Sequence, residues 1–437
     1  MKEKRLFKVA TPIIIELLFL MLYGTVDTLM LSNYSDNAAG SVGIANTLFL
    51  LFAIVINVIA LGIGAIASQY VGKEEIQNAK DVLKTGFYAT LLLSIVLWLL
   101  LFFLRGPLLR LVGIDPLLFD DAMIYLKWAS VSIIFISMRT SLATGYRVFS
   151  ENKYVMLVMT LSNIINVGLN FVLIYGFWFI PELGVEGAAI GTMISRAIAT
   201  IIFIIGSYTL LGMKLHKVVL DPVYLKRMVR VGFFGALENT AWNIMQVFIV
   251  AIVNQLDVTS VLARTYTLNL LGYIFTFSFA LATANGVIIG YYIGENNHET
   301  GFKETFKTFR IAIKGVLMVA LVMNTLSFLL FPIFTSNHDV IDLARMMLLM
   351  AFLVETGRTL NLIFITALRT AGDVRYPLVM GMISMAIMGV GMSYVFAIVL
   401  GFGLIGVFIG FALDELTRGL LNMLKFRSKA WYKIKLT

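Results

Sequence analysis

The sequence predicts an all-α integral membrane protein, with twelve transmembrane helices in two pseudo-symmetric six-helix lobes. Three observations lead there. Of 437 residues, 59% are hydrophobic and 14% charged, with a mean hydropathy of +0.91, well outside the range of soluble domains. The apolar residues come in uninterrupted runs, such as Leu91 to Leu104 with its flanks. Finally, sliding the chain against itself by 222 positions brings similar residues into register along most of its length.

The runs must be helices. In the bilayer core every backbone amide has to be paired inside its own segment or in a closed barrel. A barrel strand alternates apolar and polar residues over roughly ten positions, and these segments do not alternate. The spans read as approximately 9–31, 40–70, 86–105, 119–146, 153–177, 186–211, 228–256, 259–294, 308–335, 342–371, 376–400 and 402–426. Twelve spans leave both ends on one side, and the distribution of lysine and arginine says which. One set of segments holds Lys2, Lys4, Arg5 and Lys8, then Lys73, Lys80 and Lys84, then Arg147 and Lys153, then Lys214, Lys217, Lys226, Arg227 and Arg230. It continues with Lys303, Lys307, Arg310 and Lys314, then Arg369 and Arg375, and closes with Lys425, Arg427, Lys429, Lys433 and Lys435. The opposite loops hold Arg105 and Arg110, with Arg264 and Arg345 near helix ends. Both termini are therefore expected in the cytoplasm, in a multi-pass protein of the cell membrane.

Several chemistries drop out. The chain has no cysteine, hence no disulfide, thiolate metal site or cysteine nucleophile. His216, His298 and His338 all fall in predicted loops, so no histidine metal cluster is expected within the membrane. The N-terminal charge followed by an apolar run imitates a signal peptide, but Pro12, Glu16 and Asp27 interrupt it, and it reads as a retained first helix. No GxxxxGK[ST] loop is present, so an ion gradient is the expected energy source in place of ATP. The net charge of +9 is spread over every inner loop, which suits topology and anionic lipid and leaves no nucleic-acid surface.

At the 222-residue offset Val9 falls on Val231, Glu16 on Glu238, Ala60 on Ala282, Gly64 on Gly286, Tyr70 on Tyr292 and Gly72 on Gly294. Arg147 falls on Arg369, Tyr154 on Tyr376, Gly184 on Gly406 and Arg196 on Arg418. One shift serves them all, so the expected organisation is an N-terminal lobe at 1–211, a basic cytoplasmic linker at 212–227 and a C-terminal lobe with a basic tail at 228–437. Six helices per lobe make the repeat parallel. Two equivalent lobes that rock about a central site are a common transporter design.

A family resemblance covers nearly the whole chain. Pro12-Ile-Ile-Ile-Glu16 followed by Tyr23-Gly-Thr-Val-Asp27-Thr28 resembles the first helix of the multidrug and toxic compound extrusion (MATE) family, part of the multidrug/oligosaccharidyl-lipid/polysaccharide flippase superfamily. Gly62-Ile-Gly64 through Ser68-Gln69-Tyr70-Val-Gly72, with Ala79 and Leu83, is similar to the second helix and its cytoplasmic loop. Asn163, Asn166 and Asn170, then Gly176, Pro181-Glu-Leu-Gly184-Val-Glu-Gly187 and Thr192 are similar to the fifth and sixth helices, and Leu368-Arg369-Thr-Ala-Gly372-Asp373 with Pro377 to the end of the tenth.

Candidate function resides in ionisable residues inside spans, because charge there is costly and seldom kept without a use or a partner. Glu16 and Asp27 share the first helix; eleven residues are three turns plus about 20°, so both face one side about 16 Å apart in depth. Asn163, Asn166 and Asn170 form one amide stripe on the fifth helix. The resemblance implies an ion-coupling site at Asp27, Asn166, Asn170 and Thr192, with Na+ or a proton at Asp27. Where some members have an aspartate, this chain has Asn170. The asparagines are also suited to joining helix to helix. For cargo, Glu238 lies near Asn239, Trp242 and Gln246, a polar and aromatic face that suits an organic cation. Tyr23, Glu16 and Glu355 complete the candidate substrate-binding set. Glu355 and Arg358, three residues apart, are placed either to share that task or to bridge each other. Asp414, Glu415 and Arg418 read as a local pairing. Met and Phe residues read as lipid-facing and packing groups, and Gly62, Gly64, Gly187 and Gly191 as sites of close helix contact or bending.

The expected function is secondary antiport, exporting amphipathic, cationic drugs or toxins in exchange for Na+ or H+, with no cofactor and no enzymatic activity, by a protein acting as a monomer among membrane lipids. A flippase for a lipid-linked saccharide would need many more basic residues in its cleft than Lys127, Arg139, Arg196, Arg358 and Arg418. A lipid-modifying membrane enzyme would need a clustered catalytic set, and none is visible.

Overall fold

In a computed structural model the described residues are 2–178, 180–434 and 436, without the side chains of residues 2–5 and of Asp36. Of the basic residues assigned above to inner segments, Lys435 and the side chains of Lys2, Lys4 and Arg5 lie outside this description. The described chain is helical nearly throughout; its sole strand-like feature is the isolated bridge between Phe177 and Ile180.

The first half carries α1 (Lys2–Tyr34), α2 (Asp36–Gly72), α3 (Ile76–Val112), α4 (Pro116–Val148), α5 (Asn152–Tyr175) and α6 (Gly184–Thr209). The second carries α7 (Pro222–Val253), α8 (Val258–Gly294), α9 (His298–Phe334), α10 (His338–Leu349) and α11 (Ala351–Ala371). Then α12 (Arg375–Ser384) runs on through a π-helical stretch Met385–Gly391, the short α13 (Met392–Tyr394) and a second π stretch Val395–Val399 before α14 (Gly403–Arg427). Helix ends follow local chemistry. Asp115 caps α4 by accepting from the Leu117 amide ahead of Pro116, Asp257 caps α8 through the Ser260 amide, and Asn337 caps α10. Gly113 closes α3 and Gly372 closes α11 at φ of 72° and 94°, left-handed conformations that glycine adopts without a Cβ clash.

Eleven of the described helices are long and apolar enough to cross a membrane. The last α-helix, α14, has 25 residues but carries Asp414, Glu415 and Arg418 in its middle, which makes it less apolar than the others. With α10 and α11 together filling the range predicted as one span, 342–371, the chain is an all-α, multi-pass membrane protein. Helices of 37 residues, α2, α3, α8 and α9, reach about 55 Å, so they continue beyond a hydrocarbon layer of about 30 Å.

The 222-residue shift reappears in the helix boundaries. Both ends of α2 and α8 differ by it, as do both ends of α3 and α9, and so do the starts of α4 and α10. The interruption at Met350, between α10 and α11, has no counterpart in the continuous α4.

The chain divides into two compact units, one of Ile15–Gly232 and one from Phe233 onward together with the first residues up to Ile14. In the former, Ile63, Phe87, Tyr146, Phe203 and Met228 share one core and Phe49, Leu101, Leu126 and Ile133 another. The first turns of α7 belong to this unit: a Cβ on Gly62 of α2 would lie 2.4 Å from the Met228 backbone, so only glycine permits the approach. Lys226 and Arg227 are accordingly helical, and the stretch between α6 and α7 is shorter than the predicted linker. In the other unit, Ile249, Leu271, Phe331, Met347 and Phe408 anchor the larger core, and Phe364, Phe426 and Trp431 a smaller one.

Candidate functional site

The first unit places the four ion-coupling candidates in one hydrogen-bonded chain. Asn170 Nδ2 donates to Asp27 Oδ1 and also to Asn166 Oδ1 at 3.1 Å; Asn166 Nδ2 donates in turn to Thr192 Oγ1 at 3.2 Å. Helical geometry sets this up. Asn166 and Asn170 are one turn apart on α5, Thr192 comes from α6, and α1 supplies the acid. Asn166, Asn170 and Thr192 are buried, whereas Asp27 is half-buried and keeps part of its surface open. Gly191 makes the fit possible, since a Cβ there would stand 2.3 Å from Asn170 Oδ1. Asn163, the first member of the stripe, is half-buried and outside this chain of bonds.

One atom of this network is left over. Asn170 Oδ1 is buried with no hydrogen-bond partner, an arrangement that costs about 1–3 kcal/mol. Turning the amide over would bring this oxygen to the place where Asp27 Oδ1 and Asn166 Oδ1 already converge. Three oxygens around one point are what a hard cation uses, and two of them are held by an N–H here. Tyr23, one turn before Asp27, faces Thr192.

Glu16 is not part of this chain. It accepts from Arg147 Nη2 with both oxygens, at 2.7 and 2.8 Å. In the other unit Glu238 accepts from Arg369 Nη2 at 2.6 Å. These pairs are repeat mates, each linking the first helix of a half to the last turn of α4 or α11. Arg147 and Arg369, expected in inner positively charged segments, turn their side chains onto carboxylates. The missed signal lay in the shift itself, which keeps both the acid and the base. Trp242, 37% exposed, follows Glu238 by one turn.

Glu355 is fully buried and accepts from Arg358 through Oε1, while its Oε2 has no partner. This pair extends into a larger cluster. Arg358 Nε donates to Glu415 at 3.3 Å, Arg418 binds Asp414 at 2.7 Å and Glu415 at 3.1 Å, and Asn361 donates to Glu415 at 3.2 Å. The three residues of α14 that read as a local pairing therefore join α14 to α11. Three carboxylates stand against two guanidiniums, an imbalance centred on Glu355. Among the described residues no group of three His, Asp or Glu is arranged to hold a metal ion.

The MatE family model matches residues 12–172 and again 236–395. The chain is 32% identical over 433 residues to the "Uncharacterized transporter YisQ" of Bacillus subtilis, covering 98% of this chain and 95% of that protein. It is 24% identical over 442 residues to the "Probable multidrug resistance protein NorM" of Thermotoga maritima, covering 99% and 93%. Among solved structures, an outward-facing multidrug resistance MATE transporter superposes with a TM-score of 0.88 at 19% identity, over 98% of this chain and 95% of that one. The MATE transporter ClbM in complex with Rb+ gives 0.86 at 22% identity, over 98% and 96%. At those identities the structures share the fold.

Proposed function

The chain belongs to the multidrug and toxic compound extrusion family, as a membrane efflux transporter and not an enzyme, and from that premise we propose that it is a secondary antiporter exporting amphipathic compounds with a cationic group in exchange for inward Na+ or H+. The observation that carries this reading is Asn170 Nδ2 shared between Asp27 and Asn166 while Asn170 Oδ1 lacks a partner. The network has two arrangements. With Asp27 ionised and no ion bound, Asn170 donates to a carboxylate, a charge-assisted bond. A proton on Asp27 weakens that bond, and Na+ beside Asp27 favours the inverted amide with its oxygen on the ion. Either ligand alters how α1 is tied to α5 and α6, and shifts the conformational equilibrium by its differential affinity for the two arrangements.

An organic cation at Asp27 competes with the coupling ion for the same charge, which is the requirement for exchange. Tyr23 offers an aromatic face one turn away. In the second half, Trp242 and Glu355 are the proposed cargo contacts. Glu16 and Glu238 would present charge to cargo only as their arginine pairs open, since each carboxylate is already compensated. The basic inner segments support a cell-membrane protein with both termini in the cytoplasm, and we read it as acting as a monomer. Flux measurements in proteoliposomes, with Na+ and pH gradients imposed separately, test the proposal. Cargo movement opposite to one ion is expected; movement indifferent to both gradients rejects it.

A further inference from the structure

Two arginines inside the first unit form no ion pair with a carboxylate. Among the described residues Arg139 of α4 has neither an ion pair nor a hydrogen bond, and its Nε is buried without a partner. Arg196 of α6 donates from Nη1 to Ser132 Oγ at 2.6 Å and lies 5.1 Å from the ring centroid of Phe49. Both are half-buried, with part of their surface open.

Arg196 lies beside Asp27, and both arginines lie near Tyr23, one turn before it. Arg196 is one turn beyond Thr192 on α6, and Arg139 is seven residues beyond Ser132 on α4, which puts it on the same face about 10 Å along the axis. Arg196 acts electrostatically on Asp27 and Tyr23, and Arg139 on Tyr23 and Glu16. The acids nearby are engaged, Glu16 by Arg147 and Asp27 by Asn170. Three guanidiniums thus meet two carboxylates. One positive charge is in excess, which is unfavourable within a span, and a guanidinium matches the paired oxygens of a carboxylate or phosphate.

We propose that Arg139 and Arg196 form an anion-recognising subsite beside Asp27, which takes a carboxylate or phosphate, and that the cargo is a zwitterionic amphiphile with its amine toward Asp27. The linkage argues for a zwitterion over a simple anion. Neutralising Asp27 would strengthen binding of a simple anion, so anion and coupling ion would travel together. An amine at Asp27 is displaced by that ion, as antiport requires. The amine half rests on Asp27 as the coupling residue; the anion subsite does not.

Tetramethylrhodamine with its benzoate free is a zwitterion, and its methyl ester is a cation on the same rings. Binding of both to the purified full chain, in phosphatidylcholine nanodiscs, is read by fluorescence anisotropy. The free acid is expected to bind about tenfold tighter than the ester. Arg139→Gln or Arg196→Gln should bring the ratio to about one, and Arg139→Lys should keep part of it. Equal affinities for the unmodified protein, a reading independent of any variant's folding, would overturn the subsite, as would a ratio that survives both glutamine substitutions. Loss of the preference only in phosphatidylglycerol nanodiscs would assign the subsite to a lipid headgroup and overturn the cargo assignment. Ester export that survives Asp27→Asn with the acid preference intact would remove Asp27 from coupling and leave the subsite standing.

Discussion

Arg369 holds Glu238 at 2.6 Å across 131 residues of chain, and this pair is the 222-residue image of Arg147 on Glu16, at 2.7 Å across the same 131 residues. Duplication preserved an interaction, with both partners, as well as a fold. The Glu238 and Arg369 side chains are 7% and 19% exposed, so each charge is largely withdrawn from water. Removing one partner leaves the other uncompensated.

A double-mutant cycle tests the equivalence of the pairs. Glu238→Gln and Arg369→Gln are each expected to destabilise the protein by about 1–3 kcal/mol, with the double mutant costing little more than either single one. Glu16→Gln with Arg147→Gln should behave alike. Denaturation midpoints in detergent provide the measurement, and strictly additive losses would show that the pairs do not contribute.

The buried cluster between α11 and α14 makes an asymmetric prediction. Since Glu355 Oε2 has no partner and acids outnumber bases, Glu355→Gln should leave folded yield within about twofold of the native protein. Arg358→Gln or Arg418→Gln strands carboxylates in the interior and should reduce yield sharply. Size-exclusion profiles of the solubilised variants distinguish the cases, and equal losses would contradict the imbalance.

Gly191→Ala would place a Cβ 2.3 Å from Asn170 Oδ1. The asparagine must shift, at a cost of about 1–3 kcal/mol, and its bond to Asp27 with it. Gradient-driven export is expected to fall at least as far as stability does. A variant with native export and a lowered midpoint would separate the network from coupling.

How much of this was readable beforehand follows from the range of each interaction. Apolar runs report the helices because each segment must satisfy its own backbone, and a constant shift reports the duplication. Asn166 and Asn170 were visible as a stripe because one turn of helix brings them together. The pairing of Glu16 with Arg147 was not, because periodicity within a helix says nothing about a partner 131 residues away. The break at Met350 has no proline or glycine to mark it, and the link from Arg358 on α11 to Glu415 on α14 spans 57 residues, beyond the reach of any helical period.

Topology can be checked on a chain without cysteine. Single cysteines at the exposed positions Asn37, Glu182 and Asn337 are expected to label from outside intact cells, and those at Glu75, Lys217 and Asn297 are not. The reverse pattern would invert the orientation read from the basic segments.

The central claim is that Asp27 converts ion entry into cargo release, and Asp27→Asn tests it most directly because it holds this position in its neutral form. Uptake into inverted vesicles under an imposed Na+ or proton gradient is measured beside equilibrium binding of a cationic dye to the purified protein. A folded variant is expected, in which neither gradient drives uptake and dye binding no longer responds to Na+ or pH. Gradient-driven uptake equal to that of the unmodified protein would contradict it.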